Sequence, residues 1–222
     1  ASLIHNWLFT INHAVYIRED EVKAYVKELA RSYDTAYRKH AFTTAEGKDI
    51  TIDSGFYGWR MNRSEETEEL INLIKQGAVV EKEPVYIQTA ASHGERDYGD
   101  TYVEINLSKQ HLYFWEKGNI IIESDFVSGD MVKGMATPGG IFPITYKERN
   151  AVLKGTNYRT PVSYWMPFNG GIGMHDAPWR KQFGGTIYET NGSHGCINLP
   201  VDVAREIYEH VEAGMPVICY YE

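Results

Sequence analysis

Apolar positions fall into two regimes along the chain. Between residues 19 and 33, Val22, Tyr25, Val26, Leu29 and Tyr33 recur at spacings of three and four, which predicts a helix with one buried face. Ahead of it, Ile11, Val15 and Ile17 alternate and suggest a strand within residues 1–17. Residues 41–44 and 50–52 flank Glu46-Gly47-Lys48, a hairpin turn with a glycine for positive φ. The aromatic, glycine-rich stretch 55–60 suits packing of a strand onto a helix. A second helix starts at Asn62 or Ser64, either of which can cap it, and Glu65, Glu66, Glu68 and Glu69 carry the charge its dipole favours. Leu70, Ile71 and Ile74 supply its buried side and Gly77 ends it. Val79-Val80 and residues 85–87 read as strands broken at Pro84.

Beyond residue 100 the period becomes two. Residues 102–107 alternate as a half-buried strand should. Residues 110–115 and 120–122 follow, joined by a hairpin turn at Lys117-Gly118-Asn119. Pro138-Gly139 suits a type II turn inside 137–144, and Val152 and 162–166 add strands. Only residues 202 to about 212 look helical there, with Val203, Ile207, Tyr208 and Val211 on one side. The expected fold is an α+β N-terminal domain over 1–97, followed by a mainly β domain over 98–222. The second is expected to be a mixed β-sandwich or partly closed barrel with one helix near the C-terminus. The small, polar run at 90–100 marks the junction.

Composition narrows the function. The 222 residues carry a net charge of −8 and no basic stripe with interleaved aromatics, which argues against nucleic acid as a partner. No run of about eighteen apolar residues occurs, so the sequence predicts no membrane span. There are two cysteines. Cys219, in a short apolar run, is expected to be a buried core thiol.

Cys196 sits in Ser193-His194-Gly195-Cys196-Ile197-Asn198, directly after a glycine. A nucleophilic thiol needs a base to generate thiolate and a small neighbour that lets substrate approach. His194 and His175, the latter 21 residues upstream in Met174-His175-Asp176, are the candidate bases. Asp176 can orient the His175 ring through its carboxylate or its backbone carbonyl. The N–H groups of Gly195 and Cys196 can serve an oxyanion, and Ser193 and Asn198 can hold the loop. Ser92-His93-Gly94 repeats the triplet but is followed by no cysteine, so the triplet alone carries no chemistry. Zinc is disfavoured, because structural zinc sites bring paired ligands at short spacing and none occur here.

The 193–198 motif, preceded at the right interval by Met174-His175-Asp176, resembles the signature of the L,D-transpeptidases of bacterial cell walls. Residues 102–110 resemble the opening strand and turn of that catalytic domain, and residues 137–142 resemble its turn motif. Residues 1–100 resemble, more loosely, the domain described as peptidoglycan-binding in some Gram-positive members. The resemblance implies an enzyme of cell-wall organisation without cofactor or metal. Cys196 would be its nucleophile and His175 its general base and acid, with Asp176, Ser193 and His194 orienting or tuning them. Its partners would be a donor tetrapeptide stem, an acceptor amine and carbapenem inhibitors. Its place would be the extracellular face of the membrane or the wall, with a membrane anchor expected in the full-length protein. A cysteine L,D-carboxypeptidase with water as acceptor, or a non-catalytic wall-binding module, are the alternatives.

Overall fold

The computed structural model describes residues 8–11, 14–94, 96–155 and 159–222. In chain order the elements begin with β1 (Leu8–Ile11), β2 (Ala14–Ile17), α1 (Glu19–Tyr33), β3 (His40–Thr43), β4 (Asp49–Ile52), β5 (Arg60–Met61), α2 (Arg63–Lys75) and β6 (Tyr86–Gln88). There follow β7 (Tyr102–Asn106), β8 (His111–Glu116), β9 (Asn119–Asp125), β10 (Gly140–Pro143), β11 (Glu148–Lys154), β12 (Arg159–Asn169) and β13 (Ile172–Asp176). The last are α3 (Ile187–Asn191), β14 (Ile197–Leu199), α4 (Val201–His210) and β15 (Pro216–Tyr220). Among the described residues no helix is long and apolar enough to cross a membrane.

The chain divides into two compact units, residues 1–36 with 58–89, and residues 37–57 with 90–222. This differs from a single cut between 97 and 98, because the β3–β4 hairpin belongs to the second unit. In the first unit, Val26 and Ala30 of α1 pack with Met61, and Leu29 and Leu70 close the cluster. Tyr33 completes the predicted stripe in sequence but is exposed. Asn62 caps α2 through Oδ1, which accepts the Glu65 N–H at 3.4 Å. Glu66 is buried and accepts from Lys82 Nζ and the Val85 N–H, both at 2.7 Å, so it tethers the following segment rather than only suiting the helix dipole. Val79 and Val80 form no strand and are exposed.

The second unit holds a five-stranded sheet, order β10-β15-β7-β8-β9, and a four-stranded sheet, order β11-β12-β13-β14. Both are mixed, since β15 runs parallel to β7 and β13 parallel to β14. Val103, Ile105, Leu112, Phe114, Met166, Phe168, Met174 and Ile197 meet in the main core, with Ala204 and Ile207 of α4. The result is a mainly β unit with no closed barrel among the described residues.

Two expectations fail in this unit for physical reasons. Strand β7 is buried on both faces, not one. Phe42 of the hairpin, Tyr98 and Tyr220 cover its second face around Tyr102. There Glu104 accepts the Ala45 N–H at 2.9 Å, Trp115 Nε1–H at 2.8 Å and the Tyr220 hydroxyl at 2.7 Å. Burial still holds the Glu104 carboxyl above its ordinary range. The second departure is α3, a helix outside 202–212, too short to show a period in sequence.

Candidate active site

Strands β13 and β14 lie side by side in parallel, with Met174 opposite Ile197, His175 opposite Asn198 and Asp176 opposite Leu199. Alternation along a strand sends Met174 and Ile197 into the core and leaves His175 and Asn198 on the other face. Cys196 precedes β14 by one residue. Strand pairing thus closes a gap of 21 residues in sequence. Cys196, His175, His194, Ser193 and Asn198 line one cleft of about 230 Å³, so the structure brings these candidates together.

His175 is buried and both its ring nitrogens are engaged. Nδ1 lies 2.8 Å from the Asp176 carbonyl oxygen, and Nε2 lies 3.0 Å from Asn198 Nδ2. Arg180 Nε donates to Asn198 Oδ1 at 2.8 Å, which turns the Asn198 amide nitrogen toward the ring. Asn198 is then the donor, Nε2 the acceptor, and the ring proton sits on Nδ1, shared with the Asp176 carbonyl. The Asp176 carboxylate does something else: Oδ1 accepts the N–H groups of Ser163 and Tyr164 at 2.8 and 2.9 Å, locking β12 to β13. Of the two ways Asp176 could orient the ring, the structure uses the backbone carbonyl.

Cys196 packs beside Leu153 against Ala151, Val162 and Trp165. Its thiol points to the Gly171 carbonyl oxygen at 3.6 Å. Burial pushes this thiol up to about 11, against a backbone hydrogen bond from Gly173 that pulls it down. Burial also lowers His175, with the Arg180 cation adding to the effect and the Asp176 carbonyl opposing it. Both shifts disfavour charge, so the resting pair is neutral thiol and neutral imidazole.

The loop carrying Cys196 is held by short polar bonds. Ser193 Oγ donates to the Cys196 carbonyl at 2.6 Å and accepts the Gly195 N–H at 3.0 Å. Here the Gly195 N–H is engaged within its own turn, so to serve an oxyanion it would have to leave Ser193 Oγ. Among the described residues the Cys196 N–H has no protein acceptor. Gly195 adopts φ +113°, where a side chain would be strained, and a Cβ there would also press on Ile172 at 3.2 Å. Thr137 Oγ1 donates to the Gly195 carbonyl at 2.7 Å and accepts the Gly129 N–H at 3.0 Å. Gly129 must be glycine, because a Cβ would meet the Met135 carbonyl oxygen at 1.9 Å and Gly195 Cα at 2.9 Å.

His194 is exposed at the cleft rim, unlike His175. Cys219 is fully buried in β15, and burial pushes its thiol up as well. Among the described residues no three His, Cys, Asp or Glu side chains gather as a metal site. Sequence reasoning missed Arg180, Thr137 and Gly129. Thr137 opens a stretch already singled out as a turn motif, whereas nothing near Arg180 signals its role.

Comparison with known proteins gives the family. The model of the YkuD family, the L,D-transpeptidase catalytic domain, matches residues 100–219, and a model for a domain assigned to peptidoglycan binding matches residues 2–80. A crystal structure of an Enterococcus faecium L,D-transpeptidase bearing a cysteine-to-serine substitution superposes with TM-score 0.80 at 34% identity, covering 96% of this chain and 87% of that one. The catalytic domain of the E. faecium enzyme acylated by ertapenem is 43% identical with TM-score 0.51, covering 55% of this chain and 98% of that one. The L,D-transpeptidase YciB of Bacillus subtilis, so named by inference, is 29% identical over 125 residues, 53% of this chain and 64% of that protein's length. With a catalytic-domain match over more than half its length, this chain belongs to the L,D-transpeptidase (YkuD) family, and the segment ahead of the catalytic domain resembles a domain assigned to peptidoglycan binding.

Proposed function

We propose that this chain forms 3→3 cross-links in peptidoglycan through a cysteine acyl-enzyme, releasing D-Ala from a tetrapeptide donor. The observation that carries the reading is the cleft shared by His175, on β13, and Cys196, one residue ahead of the parallel strand β14. The thiol proton passes to His175 Nε2 as Sγ attacks the carbonyl of the third stem residue. The Asn198 amide gives up its bond to Nε2 for this step, and Asp176 stabilises the imidazolium through its carbonyl. The oxyanion takes the Cys196 N–H, with Ser193 fixing the turn. The imidazolium then protonates the leaving amine, D-Ala departs, and a thioester remains. An acceptor amine attacks the thioester, gives its proton to His175, and the thiol is restored.

The N-terminal unit would hold the glycan or stem strand, and the protein would work outside the membrane, where peptidoglycan lies. A carbapenem would acylate Cys196 at the same place as substrate. Incubation with disaccharide-tetrapeptide followed by mass spectrometry tests the reading. A dimer lacking one D-Ala, absent with Cys196→Ala, is the expected product. Tripeptide without dimer would identify water as the acceptor and the protein as a carboxypeptidase. Cross-linking that survives Cys196→Ala would refute the mechanism.

A further inference from the structure

Arg180 is half-buried in the wall of the catalytic cleft, and burial depresses its guanidinium below the ordinary range. Its Nε is spent on Asn198 Oδ1 and its Nη1 on the Asn191 carbonyl at 2.9 Å. Among the described residues no carboxylate pairs with it and Nη2 has no protein partner. A desolvated cation without a counter-charge is costly, and an arriving anion would relieve that cost. Arg180 also lines an adjoining open groove of about 720 Å³ with Trp179, Lys181, Gln182, Ile187 and Asn191. Two cations and no acid border that groove, in a chain whose net charge is −8.

We propose that Arg180 receives the terminal carboxylate of the donor's leaving residue, and so reads that the stem ends one residue past the scissile bond. This rests on the transpeptidase reading above and adds to it the group that sets donor length. The leaving amine must reach His175 Nε2 to be protonated. Only Asn198 separates Nε2 from the guanidinium, bonded to one at 3.0 Å and to the other at 2.8 Å. In a terminal amino acid the carboxylate lies two bonds from that amine. An amine placed over Nε2 therefore brings its own carboxylate toward the open edge of Arg180. A stem extended by a further residue would put an amide and more chain there, and the guanidinium would stay unpaired.

The test compares two donors, a tetrapeptide stem ending in D-Ala and the same stem ending in D-alaninamide, by kcat/KM for release of the terminal residue. Charged hydrogen bonds of this kind contribute about 1.5–3 kcal/mol, so the carboxylate donor should be preferred by about 10- to 100-fold. D-alaninamide is the weaker base and departs no less easily, so leaving-group chemistry does not produce this preference. In Arg180→Gln the preference should fall to within about twofold, whatever the variant loses in absolute rate through Asn198. Arg180→Lys should retain part of the preference, and Lys181→Gln most of it. Equal use of both donors by the wild-type protein would overturn the inference while leaving the transpeptidase reading intact, and needs no variant. An undiminished preference in folded Arg180→Gln would overturn it too. Failure to consume either donor would overturn the transpeptidase reading, and this inference with it.

Discussion

Raising the pH should unmask the nucleophile late. With the Cys196 thiol pushed up to about 11, the thiolate fraction at pH 7 is about one in ten thousand. A free thiol near 8.5 has about three in a hundred, so Cys196 starts about 300-fold short of thiolate. A more basic thiolate is also a better nucleophile, and a Brønsted coefficient of about 0.45 over the difference returns about tenfold. Alkylation of Cys196 by iodoacetamide at pH 7 should then run on the order of 20-fold slower than that of a small free thiol. The rate should climb about tenfold per pH unit and show no plateau below about pH 10. The assay is intact-protein mass spectrometry over time, with Cys196→Ala as the blank; the buried Cys219 should remain unmodified. A plateau below pH 8, or a rate at pH 7 above that of the small thiol, would mean a preformed thiolate–imidazolium pair. It would refute the neutral resting state, and proton transfer to His175 would no longer belong to the acylation step.

Three further outcomes are expected. His175→Ala should lose about 100- to 10,000-fold in acylation rate and His194→Ala far less, because only His175 is buried in the hydrogen-bonded relay; a larger loss at His194 in stopped-flow acylation would reverse the roles. Thr137→Val should cost about 2–4 kcal/mol in a urea melt and slow acylation, since it strands the Gly129 N–H and the Gly195 carbonyl in the interior; an unchanged midpoint would show that the loop does not depend on this brace. A carbapenem should leave one adduct, mapped to the peptide holding Cys196 and absent from Cys196→Ala, and an adduct on a serine would contradict the thiol mechanism.

Periodicity made α1 legible from end to end, because a stripe at spacings of three and four survives whatever packs on it. The same reasoning misjudged Val79-Val80, which among the described residues have no neighbouring strand to pair with. It missed β13 as a strand altogether. Gly173 is there to let β12 approach, since a Cβ would meet the Met166 carbonyl oxygen at 2.6 Å, and the polar His175 and Asp176 obscure the alternation. In the site, Cys196 and His175 stood out in the sequence because thiol, glycine and imidazole chemistry constrains residue type at each place, and the fold puts both in one cleft. The occupation of the Gly195 N–H by Ser193 was not readable, since it depends on how a four-residue turn closes. Arg180 was hidden for a related reason: its task is defined by the amide of Asn198, which only strand pairing brings near.

The five-stranded sheet takes one of its inner strands from far along the chain. Strand β15 lies between β10 and β7, and Val217 pairs with Val103. As the polypeptide leaves the ribosome, β7 and β10 are made long before the strand that separates them. Until β15 arrives each presents an unpaired edge, and direct pairing of β7 with β10 is an available error. Sheet completion therefore waits on contacts of high sequence separation, which makes folding slow and leaves the nascent unit dependent on protection from aggregation. A stop codon ahead of Pro216 would remove few residues and none that line the cleft of Cys196 and His175, yet it would leave β10 cut off from β7, β8 and β9.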